Sequence, residues 1–120
     1  VYDRTIADYD AFLCGAGEPR ADVDCAALAA AGRPTNGTDL NLPSIAVSDL
    51  VASRPVRRQV TNVGEPATWT ASIEAPPGIG ITVTPATLSL GTGETGEFEV
   101  RFETAALAPL GAWQTGALTW

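Results

Sequence analysis

From Leu42 onward apolar and polar residues alternate, and Gly, Pro, Asn and Asp cut the alternation into short runs. This period constrains the fold more than any other feature, because side chains two apart share a face on a strand but not on a helix. The clearest run is residues 95–103, where Phe98, Val100 and Phe102 fall on one side and Glu97, Glu99, Arg101 and Glu103 on the other. One side reads as core and the other as solvent, the pattern of an antiparallel sheet with one wet face. Residues 67–74 behave similarly, with Trp69, Ala71 and Ile73 alternating with Thr68, Thr70, Ser72 and Glu74. Runs at 44–49, 55–63, 79–84, 87–90 and 112–120 bring the expectation to seven strands. Asn62-Val63-Gly64, Pro76-Pro77-Gly78, Pro85 and Gly91-Thr92-Gly93 punctuate them as turns. The predicted fold is mainly β, a seven-stranded antiparallel β-sandwich over residues 39–120.

The preceding residues follow a different period and predict a short helical connector, residues 1–38, packed on the sandwich. Thr5-Ile6-Ala7-Asp8 reads as a capping box, followed by Ile6, Tyr9, Phe12 and Leu13 on one helical face and ended by Gly15 and Gly17. A second helix is expected from about Pro19 to Gly32, with Pro34 beyond as a stop. Cys14 and Cys25 fall in these two helices, 11 residues apart. A disulfide there would contribute about 2.5–3 kcal/mol by loop closure and would imply an oxidising compartment. Two buried reduced thiols are the alternative. Without a leader or a Met, the chain is expected to be a piece of something longer.

The residues available narrow the chemistry. There is no His, which removes the Ser-His-Asp and Cys-His arrangements and the His-dependent metal motifs. Two Cys alone do not close a zinc site, so neither a metal nor a cofactor is expected. Net charge is −7 and all seven basic residues are Arg, too few and too scattered for a nucleic-acid face. No apolar run approaches a membrane span. Glu97 and Glu99 share a strand face beside Arg101 and read as a solvated surface rather than an acid/base pair. Asp8 and Asp10, like Asp22 and Asp24, lack the Gly and distal Glu of a calcium loop and read as helix-surface acids. Asn36-Gly37-Thr38 is a glycosylation sequon.

That leaves surfaces. Trp69 belongs to the apolar side of its run and reads as core. Trp113 and Trp120 fall on opposite faces of the last run, so one of them should be exposed or covered by another domain. With Tyr2 and Tyr9 they are the candidate interface residues.

At this point several motifs in order resemble one family. They begin with Val1-Tyr2-Asp3, Asp8-Tyr9, Phe12-Leu13-Cys14-Gly15 and the second cysteine Cys25. The most specific is Asp39-Leu40-Asn41-Leu42-Pro43-Ser44-Ile45-Ala46-Val47, with Leu42 where the family commonly has an aromatic. Val60-Thr61-Asn62-Val63-Gly64, Ala67-Thr68-Trp69, Pro76-Pro77-Gly78, Val83-Thr84-Pro85 and Gly116-Ala117-Leu118-Thr119-Trp120 follow. Over its whole length the chain resembles the C-terminal fibronectin-type-III-like domain of subtilisin-like serine proteases. The resemblance implies a fibronectin-III-like, immunoglobulin-like sandwich, secreted and extracellular, with a peptidase domain upstream in cis that carries the catalytic residues. It also implies that one edge strand beyond Trp120 is missing, which would leave an open edge for weak self-association. The expected role is a non-catalytic scaffold for the peptidase; the alternative is an adhesion or carbohydrate-binding module using an aromatic such as Trp113.

Overall fold

The computed structural model describes residues 1–105 and 111–120. The chain forms two compact units, Tyr2–Ala46 and Val47–Trp120 together with Val1.

In the first unit α1 spans Ile6–Ala16 and α2 spans Cys25–Ala30, followed by a 3-10 turn at Gly37–Asp39. The capping box opens α1: the Asp8 carboxylate accepts the Thr5 backbone N–H at 2.9 Å and the Thr5 hydroxyl at 2.8 Å. Gly17 closes it in the left-handed conformation (φ 81°), with Glu18 N–H donating back to the Leu13 carbonyl at 2.9 Å. That conformation is why a glycine stands there. The second helix is shorter than expected. Its N-cap is Asp24, whose Oδ1 accepts Ala27 N–H at 3.0 Å, and residues 19–24 are not helical.

Among the described residues the second unit has seven antiparallel strands, but not the expected seven. They are β1 (Ser53–Thr61), β2 (Ala67–Thr70), β3 (Ser72–Glu74), β4 (Ile79–Thr84), β5 (Thr87–Leu90), β6 (Thr95–Thr104) and β7 (Ala117–Thr119). Residues 44–49 form no strand; they contain the junction between the two units, and Asp49 takes a positive φ of 51° that ends extended pairing. Residues 67–74 split at Ala71: β2 pairs with β5, while β3 pairs with β7. The alternation runs through Ala71 unbroken, so only the change of partner reveals the split. The third sheet has the order β1-β6-β4.

The core lies between these sheets. From β1-β6-β4 come Val56, Phe98, Val100 and Val83, and from β5 come Leu88 and Leu90, all buried. Gly96 faces the same way as Phe98, and a Cβ there would lie 2.9 Å from Leu90 Cδ2, so its missing side chain lets β5 approach β6. Trp120 meets Phe98 edge to face at 5.0 Å between ring centroids, tying the end of β7 to the same core. This is the sheet-on-sheet packing of a β-sandwich, as expected.

Candidate interaction surfaces

Two buried polar centres organise the units, and the sequence reading had assigned neither of them that role. Asp8 is only 4% exposed rather than a surface acid. Besides the Thr5 groups, its carboxylate takes Arg33 Nη1 at 2.8 Å and Arg4 Nη1 at 3.4 Å. Arg4 Nε in turn donates to the Asn41 carbonyl at 2.9 Å, so one carboxylate joins the start of the unit, α1, the segment after α2 and the approach to the sandwich. Burial pushes the Asp8 carboxyl up, but the Thr5 N–H, the Arg33 guanidinium and the Thr5 hydroxyl outweigh it and hold the group below its usual range. The signal available in sequence was the capping box itself, which turns Asp8 inward.

Asn62, in the motif after β1, is the second centre. Its Nδ2 donates to the Glu65 carbonyl at 2.9 Å and the Leu90 carbonyl at 3.1 Å, and its Oδ1 accepts Gly64 N–H at 2.9 Å. Its backbone bonds Glu94 and Gly93 across the turn before β6. Arg58 is a further buried polar residue, 3% exposed on the inward side of β1 with Nη1 donating to the Arg57 carbonyl at 2.8 Å. Its parity with Val56 and Val60 was the legible sign that it points in.

The other acids singled out in the sequence have neighbours. Glu97 accepts Gln59 Nε2 at 3.2 Å, and Glu99 pairs with Arg101 at 3.2 Å and Arg57 at 3.7 Å, a charged sheet face with no convergent acids. Asp10 and Asp22 share Arg20, each at 3.3 Å, and Asp24 caps α2. Among the described residues no three His, Cys, Asp or Glu side chains cluster as metal ligands. No helix of the described residues is long and apolar enough to cross a membrane.

Cys14 and Cys25 form a disulfide linking α1 to α2, with Cα atoms 5.7 Å apart. The four aromatic interface candidates divide between the two units. Tyr2 and Tyr9 lie in the first unit, Tyr2 half-buried and Tyr9 45% exposed. In the second unit Trp113 is 71% exposed, whereas Trp120 is half-buried on Phe98. Trp113 precedes β7 instead of sharing a strand with Trp120, so its exposure does not come from strand alternation. Trp69 is half-buried in β2.

Seven described antiparallel strands in sheets packed around one core fit a fibronectin-type-III-like β-domain, and comparison with known families agrees. The fibronectin type-III domain family matches residues 39–120, and the chain belongs to that family. Across its full length it is also similar to one part of plant subtilisin-like proteases. It is 36% identical to subtilisin-like protease SBT5.4 of Arabidopsis thaliana over 124 residues, covering 100% of this chain and 16% of the relative. It is 38% identical to subtilisin-like serine-protease S of Lotus japonicus, covering 100% and 16%, and 36% identical to the CO(2)-response secreted protease of Arabidopsis thaliana, covering 100% and 17%. The chain thus spans about a sixth of the length of these curated relatives. Its sequence has no His, so it carries no Ser-His-Asp triad of its own.

Proposed function

We propose that the chain is the non-catalytic accessory domain of a secreted subtilisin-like serine protease, stabilising a peptidase domain in cis and shaping substrate access to it. The observation that carries this reading is the end-to-end match to about a sixth of each relative, at 36–38% identity. A domain in that position acts through surface and complementarity rather than reactive groups. The disulfide fits an oxidising, extracellular setting, and one of the similar proteins is named as secreted. The test compares the parent with and without residues 1–120, using a short peptide and a folded protein as substrates. Loss of kcat/KM on both, with faster thermal inactivation, is the expected result. Unchanged activity and stability after deletion would refute it.

A second reading rests on Trp113. An indole 71% exposed is a stacking platform for sugar rings, and would make the chain a targeting module on polysaccharide. Retention of the chain on insoluble polysaccharide, lost in Trp113→Ala, is the outcome that would favour it. A second copy of the chain is a further proposed partner. Among the described residues β7 pairs only with β3, leaving the other edge of β7 open to strand addition. Light scattering at high concentration should show weak association, and a strictly monomeric profile would remove this partner.

A further inference from the structure

Helix α1 splits the apolar face expected of it: Phe12 packs inward while Ile6 and Tyr9 lie exposed. At about 100° per residue, Asp8, Ala11, Phe12 and Gly15 fall on one side and Ile6, Tyr9 and Leu13 on the other. The first set is the packed one. Asp8 and Ala11 are buried, a Cβ on Gly37 would lie 3.3 Å from the Phe12 ring, and a Cβ on Gly15 would overlap the Thr35 backbone. The second set faces out, with Ile6 73% and Tyr9 45% exposed and Leu13 half-buried. The stripe presents no free charge either: Asp10, the acid beside it, is paired with Arg20, and Asp8 is engaged on the far side by Arg4 and Arg33.

We propose that the Ile6–Tyr9–Leu13 stripe of α1 is the docking face for an apolar patch on the peptidase domain of the same polypeptide. The proposal rests on the accessory-domain reading and adds to it a particular surface. Two observations select this occupant. More than four fifths of each similar protease lies outside the matched region, so a much larger folded body accompanies such a domain there. The stripe is apolar and its flanking acids are already neutralised, which suits a dry protein surface and offers nothing to a charged ligand. Packing Ala11 and Phe12 within the unit leaves Ile6, Tyr9 and part of Leu13 for an external surface.

The test is hydroxyl-radical footprinting of Tyr9 and Ile6 in the isolated 120-residue chain and in the full parent. Both residues should label readily in the isolated chain and be protected in the parent. Equal labelling in both overturns the proposal, because the face is then undocked. Protection already present in the isolated chain also overturns it, because the rest of this chain is then the occupant. In the parent, the exposed-site double variant Ile6→Ser/Tyr9→Ser should speed thermal inactivation by about tenfold, while Val51→Ser/Val63→Ser, exposed in the other unit, should not. If deleting residues 1–120 destabilises the parent but the α1 variant does not, the docking face is wrong and the accessory role stands. If deletion has no effect, the accessory role itself fails.

Discussion

Replacing Asn62 with alanine removes three side-chain hydrogen bonds from one buried point: the donations to Glu65 and Leu90 and the acceptance from Gly64. Two carbonyls on one end of the amide and an N–H on the other fix its orientation, so no other side chain of this size supplies the set. Each bond contributes about 1 kcal/mol net, and the Leu90 carbonyl is left buried without its partner, which brings the expected loss to about 2–4 kcal/mol. For a domain of this size that lowers Tm by roughly 10–25 °C. Asn62→Asp sharpens the test. The aspartate keeps the acceptor for Gly64 but turns an oxygen toward the Glu65 and Leu90 carbonyls, so its charged form is disfavoured and its pKa should rise above the unfolded value. A group raised in this way contributes its stability below the unfolded pKa and loses it as pH climbs through the folded one, so Asn62→Asp should be less damaging at pH 4 than at pH 7. Thermal unfolding of the 120-residue chain, followed by near-ultraviolet circular dichroism of its tryptophans at the two pH values, gives both numbers. A loss below about 0.5 kcal/mol for Asn62→Ala, or an Asn62→Asp variant indifferent to pH, would refute the hub.

In the first unit, Asp8→Asn keeps the shape and loses the charge facing Arg33 and Arg4, and should cost about 2 kcal/mol, less than a fully buried pair because Arg33 is partly exposed. Because the folded pKa of Asp8 is depressed, its contribution is complete above the unfolded value and is lost as pH falls through the lower folded value; the acid limb of a stability-versus-pH curve should therefore flatten in Asp8→Asn. Reducing the Cys14–Cys25 bridge should remove about 2.5–3 kcal/mol and, in hydrogen exchange, loosen Tyr2–Ala46 while β1, β4 and β6 keep their protection. Gly96→Ala places a methyl 2.9 Å from Leu90 and should destabilise by about 1–3 kcal/mol in denaturant titration, whereas Gly93→Ala, with nothing within 4 Å, should show only the cost of its positive φ.

The sequence determined the period of each segment, and with it the class of fold. Alternation at Phe98, Val100 and Phe102 against Glu97, Glu99 and Arg101 is a property of adjacent Cβ directions, so it survives without knowledge of any partner. The capping box at Thr5 and the glycine at Gly17 were legible for the same reason, since their bonds close within a few residues. The two cysteines were close enough in sequence for the bridge to be weighed before its geometry was known. What only the tertiary structure decided was which surface meets which. The run 67–74 serves two different strands, residues 44–49 find no strand to pair with, and α1 buries Asp8 and Ala11 while leaving Ile6 and Tyr9 outside. Asp8 becomes a centre joining distant segments only when Arg33 arrives from 25 residues away. Pairing and burial depend on chain segments distant in sequence, and a local period carries the direction of a side chain without the identity of what covers it.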